Sequence, residues 1–302
     1  MTKAWTVKDI PSQTGKRVIV TGANSGIGWH AALELARAGA EVTIASRNEA
    51  KAADAVHRIL AIAPGASIHA GTLDLSNPAS VKAFADSQLT LSRPLDILIN
   101  NAGVMALPDR RETQDGHEMQ FATNVLGPYR LTGLLLPALL QSAAPRIVTV
   151  ASGTHAIGGP VPIPDLDSKQ NYKPIKAYAK TKLANILFAR ELQRRAGGRL
   201  LSTISHPGGS KTNLFADTSF LMKLSALAMY PLLQSAAMGA EPTLMAATLK
   251  DAKPGGYYGP GGFAELRGHP VESKTAPIAD DVAAARILFD ELERMSGIRF
   301  AL

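Results

Sequence analysis

The feature that most restricts this chain lies near its start. Arg17-Val18-Ile19-Val20-Thr21 is a short apolar run that reads as a buried strand, and it leads directly into Gly22-Ala23-Asn24-Ser25-Gly26-Ile27-Gly28. Helical spacing follows through Ala31 to Ala38, and Gly39 supplies a stop. Ala40 to Ala45 is then a second apolar run. Strand, glycine turn, helix and second strand together make a β-α-β unit, the usual way to connect two parallel strands. Each glycine has a steric use: one for the tight turn, one for close approach of backbone to a ligand, one for packing helix on strand.

The same alternation continues. Residues 49–62 have amphipathic helical spacing, and Ala66 to Leu73 is a strand ending at Asp74-Leu75. Asn77-Pro78 opens a helix running to about Leu91. Leu95 to Ile99 is a buried strand ending at Asn100-Asn101-Ala102-Gly103, and a long helix is expected from about Asp115 to Leu140, kinked at Gly127-Pro128 and Pro137. Arg146 to Ser152 is a fifth strand, followed by a loop rich in Gly, Pro and Asp, a helix from Ile175 to Ala196, and a strand from Leu200 to Ser205 before His206-Pro207-Gly208. Gly255 to Gly262 reads as a turn before a last strand, and Ile278 to Ser296 as a closing helix. Residues 1–16 read as a surface lead-in. The fold class is therefore α/β: a doubly wound, Rossmann-type, mostly parallel sheet with helices on both faces, in one domain over 1–302. Ligands in such sheets bind at strand carboxyl ends, where the unusual polar residues fall.

A glycine turn opening a helix after a strand offers free N–H groups and a positive dipole end to a pyrophosphate. Gly22, Asn24, Ser25, Gly26, Ile27 and Gly28 are its candidate contacts. Ser46-Arg47 lies about 20 residues further on, where an acidic residue would accept the ribose 2′-hydroxyl of NAD. No acid stands there. The Arg47 guanidinium suits a 2′-phosphate, so NADP(H) is expected in preference to NAD(H); its plainer use is as a surface arginine opening the next helix.

Tyr178-Ala179-Lys180-Thr181-Lys182 heads the apolar part of the 175–196 helix, so the Tyr178 phenol and the Lys182 ammonium share a face. A phenol with a pKa of about 10 is a poor acid-base group at neutral pH. A neighbouring cation lowers that value, so Lys182 is expected to pull the Tyr178 phenol down. The plainer use of the pair is a core tyrosine and a solvated lysine.

Composition narrows the function classes. The chain of 302 residues is 46% hydrophobic and 19% charged, enough for a core, and it has no cysteine, which excludes thiol chemistry and suits the cytoplasm. No signal-type N-terminus and no run of roughly 20 apolar residues are present. The net charge of +7 is scattered rather than gathered into a nucleic-acid-binding arm; a basic rim for an anionic cofactor uses it better. The seven histidines lack metal-ligand spacing, and His155 and His206 are expected to be structural.

Thr21-Gly22-x-x-x-Gly26-x-Gly28, Asn100-Asn101-Ala102-Gly103, Ser152, Tyr178-x-x-x-Lys182 and Pro207-Gly208-x-x-x-Thr212 together resemble the short-chain dehydrogenase/reductase family over roughly residues 15–215. Thr113-Gln114-Asp115-Gly116-His117-Glu118, Asn124-Val125-Leu126-Gly127, the long gap from Ser152 to Tyr178, and Lys182-Leu183-Ala184-Asn185 look closest to its retinol-dehydrogenase-like branch. The resemblance implies Tyr178 as general acid and base, Lys182 on the nicotinamide ribose, Ser152 on the substrate oxygen, and Asn124 holding a water that links Lys182 to solvent. It implies Asp74 and Leu75 against the adenine, Asn101, Ala102 and Gly103 along the adenosine side, and Thr149, Pro207, Gly208 and Thr212 near the nicotinamide. Ala151 and Thr181 depart from the serines common in this branch. Singly, Asn124, Asp74 and Ser152 have local uses as a helix-kink partner, a turn cap and a strand end.

In the family, an insert here expected at about 213–250 covers the substrate; its apolar residues between Leu214 and Met229 favour a bulky aldehyde or ketone, and its plainer use is a packed amphipathic helix. Two apolar stripes on the Tyr178 helix, Leu183 with Leu187 and Ala184 with Phe188 and Leu192, suggest a homodimer, with cover by the chain's own C-terminal segment as the other arrangement. Three functions stay open: an NADP(H)-dependent carbonyl reductase, a reductase of a carbon–carbon double bond, and a non-catalytic NADP(H)-binding redox sensor.

Overall fold

The computed structural model describes residues 4–210 and 233–302. The first half runs β1 (Arg17–Thr21), α1 (Gly26–Arg37), β2 (Glu41–Ser46), α2 (Glu49–Ile62), β3 (Ile68–Thr72), α3 (Pro78–Leu89), β4 (Ile97–Asn100), α4 (Met119–Phe121) and α5 (Gly127–Leu139). Then come β5 (Arg146–Val150), α6 (Pro174–Ala196), β6 (Leu201–Ser205), α7 (Ala236–Thr248), β7 (Tyr257–Pro260), β8 (Pro270–Glu272) and α8 (Val282–Ser296). Local chemistry sets the helix ends. Asn48 Oδ1 accepts from Lys51 N at α2, Asn77 caps α3 just before Pro78, and Gly197, at φ +56°, closes α6 in a left-handed conformation.

The strands form one sheet in the order β3-β2-β1-β4-β5-β6-β7-β8. All pair in parallel except β8, which is antiparallel to β7. Neighbouring residues of β1 face opposite ways: Val18 and Val20 join the core under α1, α2 and α7, while Ile19 joins the core under α3, α5, α6 and α8. Each such fully buried side chain contributes about 1.5–3 kcal/mol. The winding direction reverses between β1 and β4, and a crevice opens at their carboxyl ends.

Several expectations are corrected. The stretch from Asp115 to Leu140 is not one helix. Residues up to Glu118 form a loop, whose Glu118 carboxylate accepts from the Gln120 and Phe121 N–H groups, and Ala122–Leu126 is a π-helical turn. Pro128 has no N–H to offer the Asn124 carbonyl, its partner in a regular helix, so the turn widens there. Residues 257–260, expected as a turn, are strand β7 beside β6. The half of the expected substrate cover at 236–248 is helix α7, packed in the core against α1 and the sheet. Positions 211–232 lie outside the described residues. In the lead-in, Gln13 is fully buried and donates to the Pro11 carbonyl.

The second stripe of α6 has a partner within the chain. Phe188 stacks on Phe289 of α8 at 5.9 Å and meets Phe300 edge-on at 6.3 Å. The stripe that suggested a second copy is thus covered by the C-terminal segment. Among the described residues, no helix is long and apolar enough to cross a membrane, and no cluster of three or more His, Asp or Glu could hold a metal.

Candidate active site

The glycine turn is built around Thr21. Its hydroxyl accepts from the Asn101 and Ala102 N–H groups, both at 3.0 Å, and the Asn101 side-chain amide donates to the Thr21 carbonyl at 2.7 Å. The ends of β1 and β4 are thereby stitched together. Gly22 has φ +66°, and a Cβ on it would lie 2.8 Å from Ala102 Cα; a Cβ on Gly28 would run into the Asn101 amide. These glycines keep a cradle open at the N-terminus of α1.

A cavity of about 340 Å³ runs along this cradle. One end is basic: Arg47, Asn48 and Lys51 line it with Asn24 and Ser46. Arg58 supports this end from outside, donating to the Asn24 carbonyl at 2.8 Å. Asp74 and Leu75 form a flank. Asp74 also serves the local use, accepting from Ser76 N at 2.9 Å and Ser76 Oγ at 2.6 Å. Asn101, Ala102 and Gly103 line the middle.

Tyr178 and Lys182 lie at the far end, with Val150, Ala151 and Pro207. Both are almost wholly buried. The Lys182 ammonium donates to the Val150 carbonyl at 2.9 Å and lies 5.6 Å from the centre of the Tyr178 ring. Burial pushes the Tyr178 phenol up to about 12, and a hydrogen bond with the Ser152 hydroxyl offsets part of that rise. Burial also pushes Lys182 down to about 8. The net direction for Tyr178 is therefore opposite to the one expected from its sequence neighbour. Desolvation disfavours the charged form of both groups, and the partial offset at Tyr178 comes from Ser152 rather than from Lys182.

Asn124 is engaged rather than free. Its side-chain amide accepts from Val104 N at 2.8 Å and donates to the Val104 carbonyl at 2.9 Å and to Thr181 Oγ1 at 3.0 Å. Thr181 in turn donates to the Tyr178 carbonyl at 2.7 Å. A Cβ on Gly103 would lie 3.1 Å from Asn124 Oδ1 and 3.6 Å from Lys182 Nζ, so Gly103 sits between the two. Sequence reasoning gave no role to Thr181, Lys51 or Thr21. Their signal was position: one residue before Lys182, one turn after Arg47, and directly before the first glycine.

The remaining expected residues divide. Pro207 reaches the cavity, whereas Gly208, at φ +61°, packs against the Leu266 carbonyl. Thr149 does not line the cavity; it is buried in β5 with its hydroxyl unpartnered. Thr212 lies outside the described residues. His206 is buried flat against Tyr257, with ring centres 4.9 Å apart, and burial holds its pKa down to about 4.

Comparison with known proteins agrees with this geometry. The family model for short chain dehydrogenase matches residues 16–219. Human retinol dehydrogenase 12 is 41% identical over 247 residues, which cover 81% of this chain and 77% of its own. The crystal structure of an uncharacterised protein from Mycobacterium paratuberculosis superimposes with a TM-score of 0.83 at 36% identity, covering 99% of this chain and 100% of that one. A short chain dehydrogenase from Escherichia coli CFT073, solved in complex with NADPH, gives a TM-score of 0.63 at 25% identity, covering 81% of this chain and 95% of that one. With the glycine cradle, the buried tyrosine–lysine pair and this match over most of its length, the chain belongs to the short chain dehydrogenase family of oxidoreductases, in the retinol-dehydrogenase-like branch.

Proposed function

We propose that the protein interconverts a bulky apolar aldehyde or ketone and its alcohol, using NADP(H), with Tyr178 as the general acid and base. The observation that carries this reading is one continuous cavity with Arg47 and Lys51 at one end and Tyr178 and Lys182 at the other. The residues present fit a phosphorylated dinucleotide. The cradle that a Cβ at Gly22 or Gly28 would fill admits a pyrophosphate, and the basic end suits a 2′-phosphate better than a bare hydroxyl. Asp74 and Leu75 would flank the adenine, Lys182 would bond the nicotinamide ribose, and Pro207 would border the ring. When bound, NADPH supplies a hydride to the carbonyl carbon.

The chain's own groups handle the proton and the charge. In reduction, the Tyr178 hydroxyl gives its proton to the oxygen that is gaining electrons; in oxidation, the phenolate takes it back. The Ser152 hydroxyl donates to the same oxygen and stabilises charge developing there. A cationic Lys182 favours the phenolate that Tyr178 becomes after giving up its proton. Asn124 fixes the Val104 wall and, through Thr181, the start of the catalytic helix. The apolar substrate class is supported by the relative named for retinol, a long apolar alcohol.

The test is loss of NADPH absorbance with a panel of long-chain and polyene aldehydes, bulky ketones and small hydrophilic carbonyls. Turnover confined to the apolar members supports the proposal. Tight NADPH binding with no turnover on any carbonyl supports a non-catalytic redox sensor instead.

A further inference from the structure

We propose that His155 is a positioning residue for Ser152, held in one neutral tautomer by a C-terminal strap at residues 275–280. The assignment of Ser152 to the substrate oxygen rests on the function proposed above; the strap itself does not. His155 is 4% exposed and uses both ring nitrogens. Nδ1 lies 2.8 Å from the Ser152 carbonyl oxygen, and Nε2 lies 3.0 Å from the Ala276 backbone nitrogen. A carbonyl can only accept and a backbone N–H can only donate. Nδ1 therefore carries the proton and Nε2 does not. The His155 N–H adds a second bond to the same Ser152 carbonyl, at 3.1 Å. Burial lowers the pKa of the ring, which agrees with the neutral form.

The strap is gripped from the other side by the helix that carries Tyr178. Arg190, further along α6, donates to the Ala279 carbonyl at 2.8 Å, to Asp280 Oδ1 at 2.5 Å and to Thr275 Oγ1 at 3.1 Å. One short segment thus joins the end of β5, bearing Ser152, to α6, bearing Tyr178. Ser152 and Tyr178 thus sit on two elements held by the same strap, so their relative placement depends on both grips. The segment lies beyond residues 16–219, the part matched by the family model. A small displacement of a group that must meet a reacting oxygen lowers rate more than binding.

The test uses the full chain labelled with 13Cζ-tyrosine. The Tyr178 signal is assigned by its disappearance in Tyr178→Phe, and its shift at neutral pH reports the placement of the Ser152 hydroxyl relative to the ring without any need for turnover. Ser152→Ala calibrates the loss of that hydroxyl. His155→Phe removes both ring bonds. Ala276→Pro removes only the N–H that Nε2 accepts, and Ala276 already has a φ of −61°, which suits proline. The expected result is that both variants move the Tyr178 signal in the same direction as Ser152→Ala and at least about half as far. His155→Asn, which keeps a donor toward the Ser152 carbonyl, moves it less. On any carbonyl that is turned over, kcat falls roughly ten-fold in His155→Phe while the NADPH Kd stays within about two-fold. The proposal is overturned if His155→Phe and Ala276→Pro leave the Tyr178 signal in place while Ser152→Ala moves it, or if Ser152→Ala moves nothing. It is also overturned if kcat and NADPH affinity fall together in step with Tm, as expected of a merely structural histidine. Absence of turnover on every carbonyl would bear on the proposed function alone and leave the signal readable.

Discussion

Asn124 and Val104 are tied twice, side chain to backbone, by hydrogen bonds of 2.8 and 2.9 Å running in opposite senses. This clamp joins the π-helical turn before α5 to the segment that follows β4, and it closes the cavity wall next to Gly103. Asn124→Leu leaves the N–H and the carbonyl of Val104 without these partners. Urea denaturation should show a loss of about 1–3 kcal/mol, with weaker NADPH binding. A variant with wild-type stability and affinity would show that the clamp is dispensable.

Tyr178→Phe removes the proposed proton donor and little else, since the ring stays packed. Turnover should drop by about 10²–10⁴-fold, the range for loss of a general acid. NADPH affinity, read by fluorescence titration, should change by less than about two-fold. Wild-type kcat in this variant would remove Tyr178 from the chemistry.

Lys182 is a buried cation whose pKa falls from 10.5 to about 8 on folding. Below about pH 8 both folded and unfolded chains hold the proton, and the folded chain bears the full cost of the buried charge. Between about 8 and 10.5 only the unfolded chain still binds it, so rising pH favours the folded state. Removing the cation should therefore stabilise the protein at neutral pH. The shift corresponds to about 3 kcal/mol, and losing the bond to the Val150 carbonyl gives back about 1. Lys182→Met should be about 2 kcal/mol more stable than wild type at pH 7, with the gap closing by pH ~10.5 while turnover is lost. A stability difference that does not change with pH over that window would contradict the assigned shift.

Arg47→Ala should raise the Kd for NADPH by about ten-fold or more and leave that for NADH unchanged, since a charged hydrogen bond to phosphate contributes about 1.5–3 kcal/mol. Lys51→Ala should act in the same sense and less strongly, because an ammonium lacks the guanidinium fork. Titrations of both cofactors at fixed ionic strength test this, and equal weakening of the two would reject Arg47 as a selector of the 2′-phosphate.

Gly28→Ala places a methyl group where the Asn101 amide now lies. Asn101 must leave the Thr21 carbonyl, loosening the stitch between β1 and β4. Thermal denaturation should report a loss of about 1–3 kcal/mol, together with reduced NADPH affinity.

The sequence by itself determined what depends on near neighbours along the chain. Apolar runs and helical spacing located the first six strands, the helices of the first three β–α units and α6, because side-chain periodicity is a local property. The turn at Gly22 needed a positive φ, and glycine announces that need in one letter. The order of Gly22, Asn101, Ser152 and Pro207 marked the strand carboxyl ends that gather at the cavity. Tertiary structure alone decided the rest. The strand order brought Thr21 beside Asn101, and Asn124 beside Val104 and Thr181, through contacts that no local period encodes. The second stripe of α6 found Phe289 and Phe300, residues a hundred positions or so away along the chain. The pKa of Tyr178 also changed direction for a tertiary reason. Its cationic neighbour is visible in the sequence, but the burial that sets the direction comes from side chains brought in by folding.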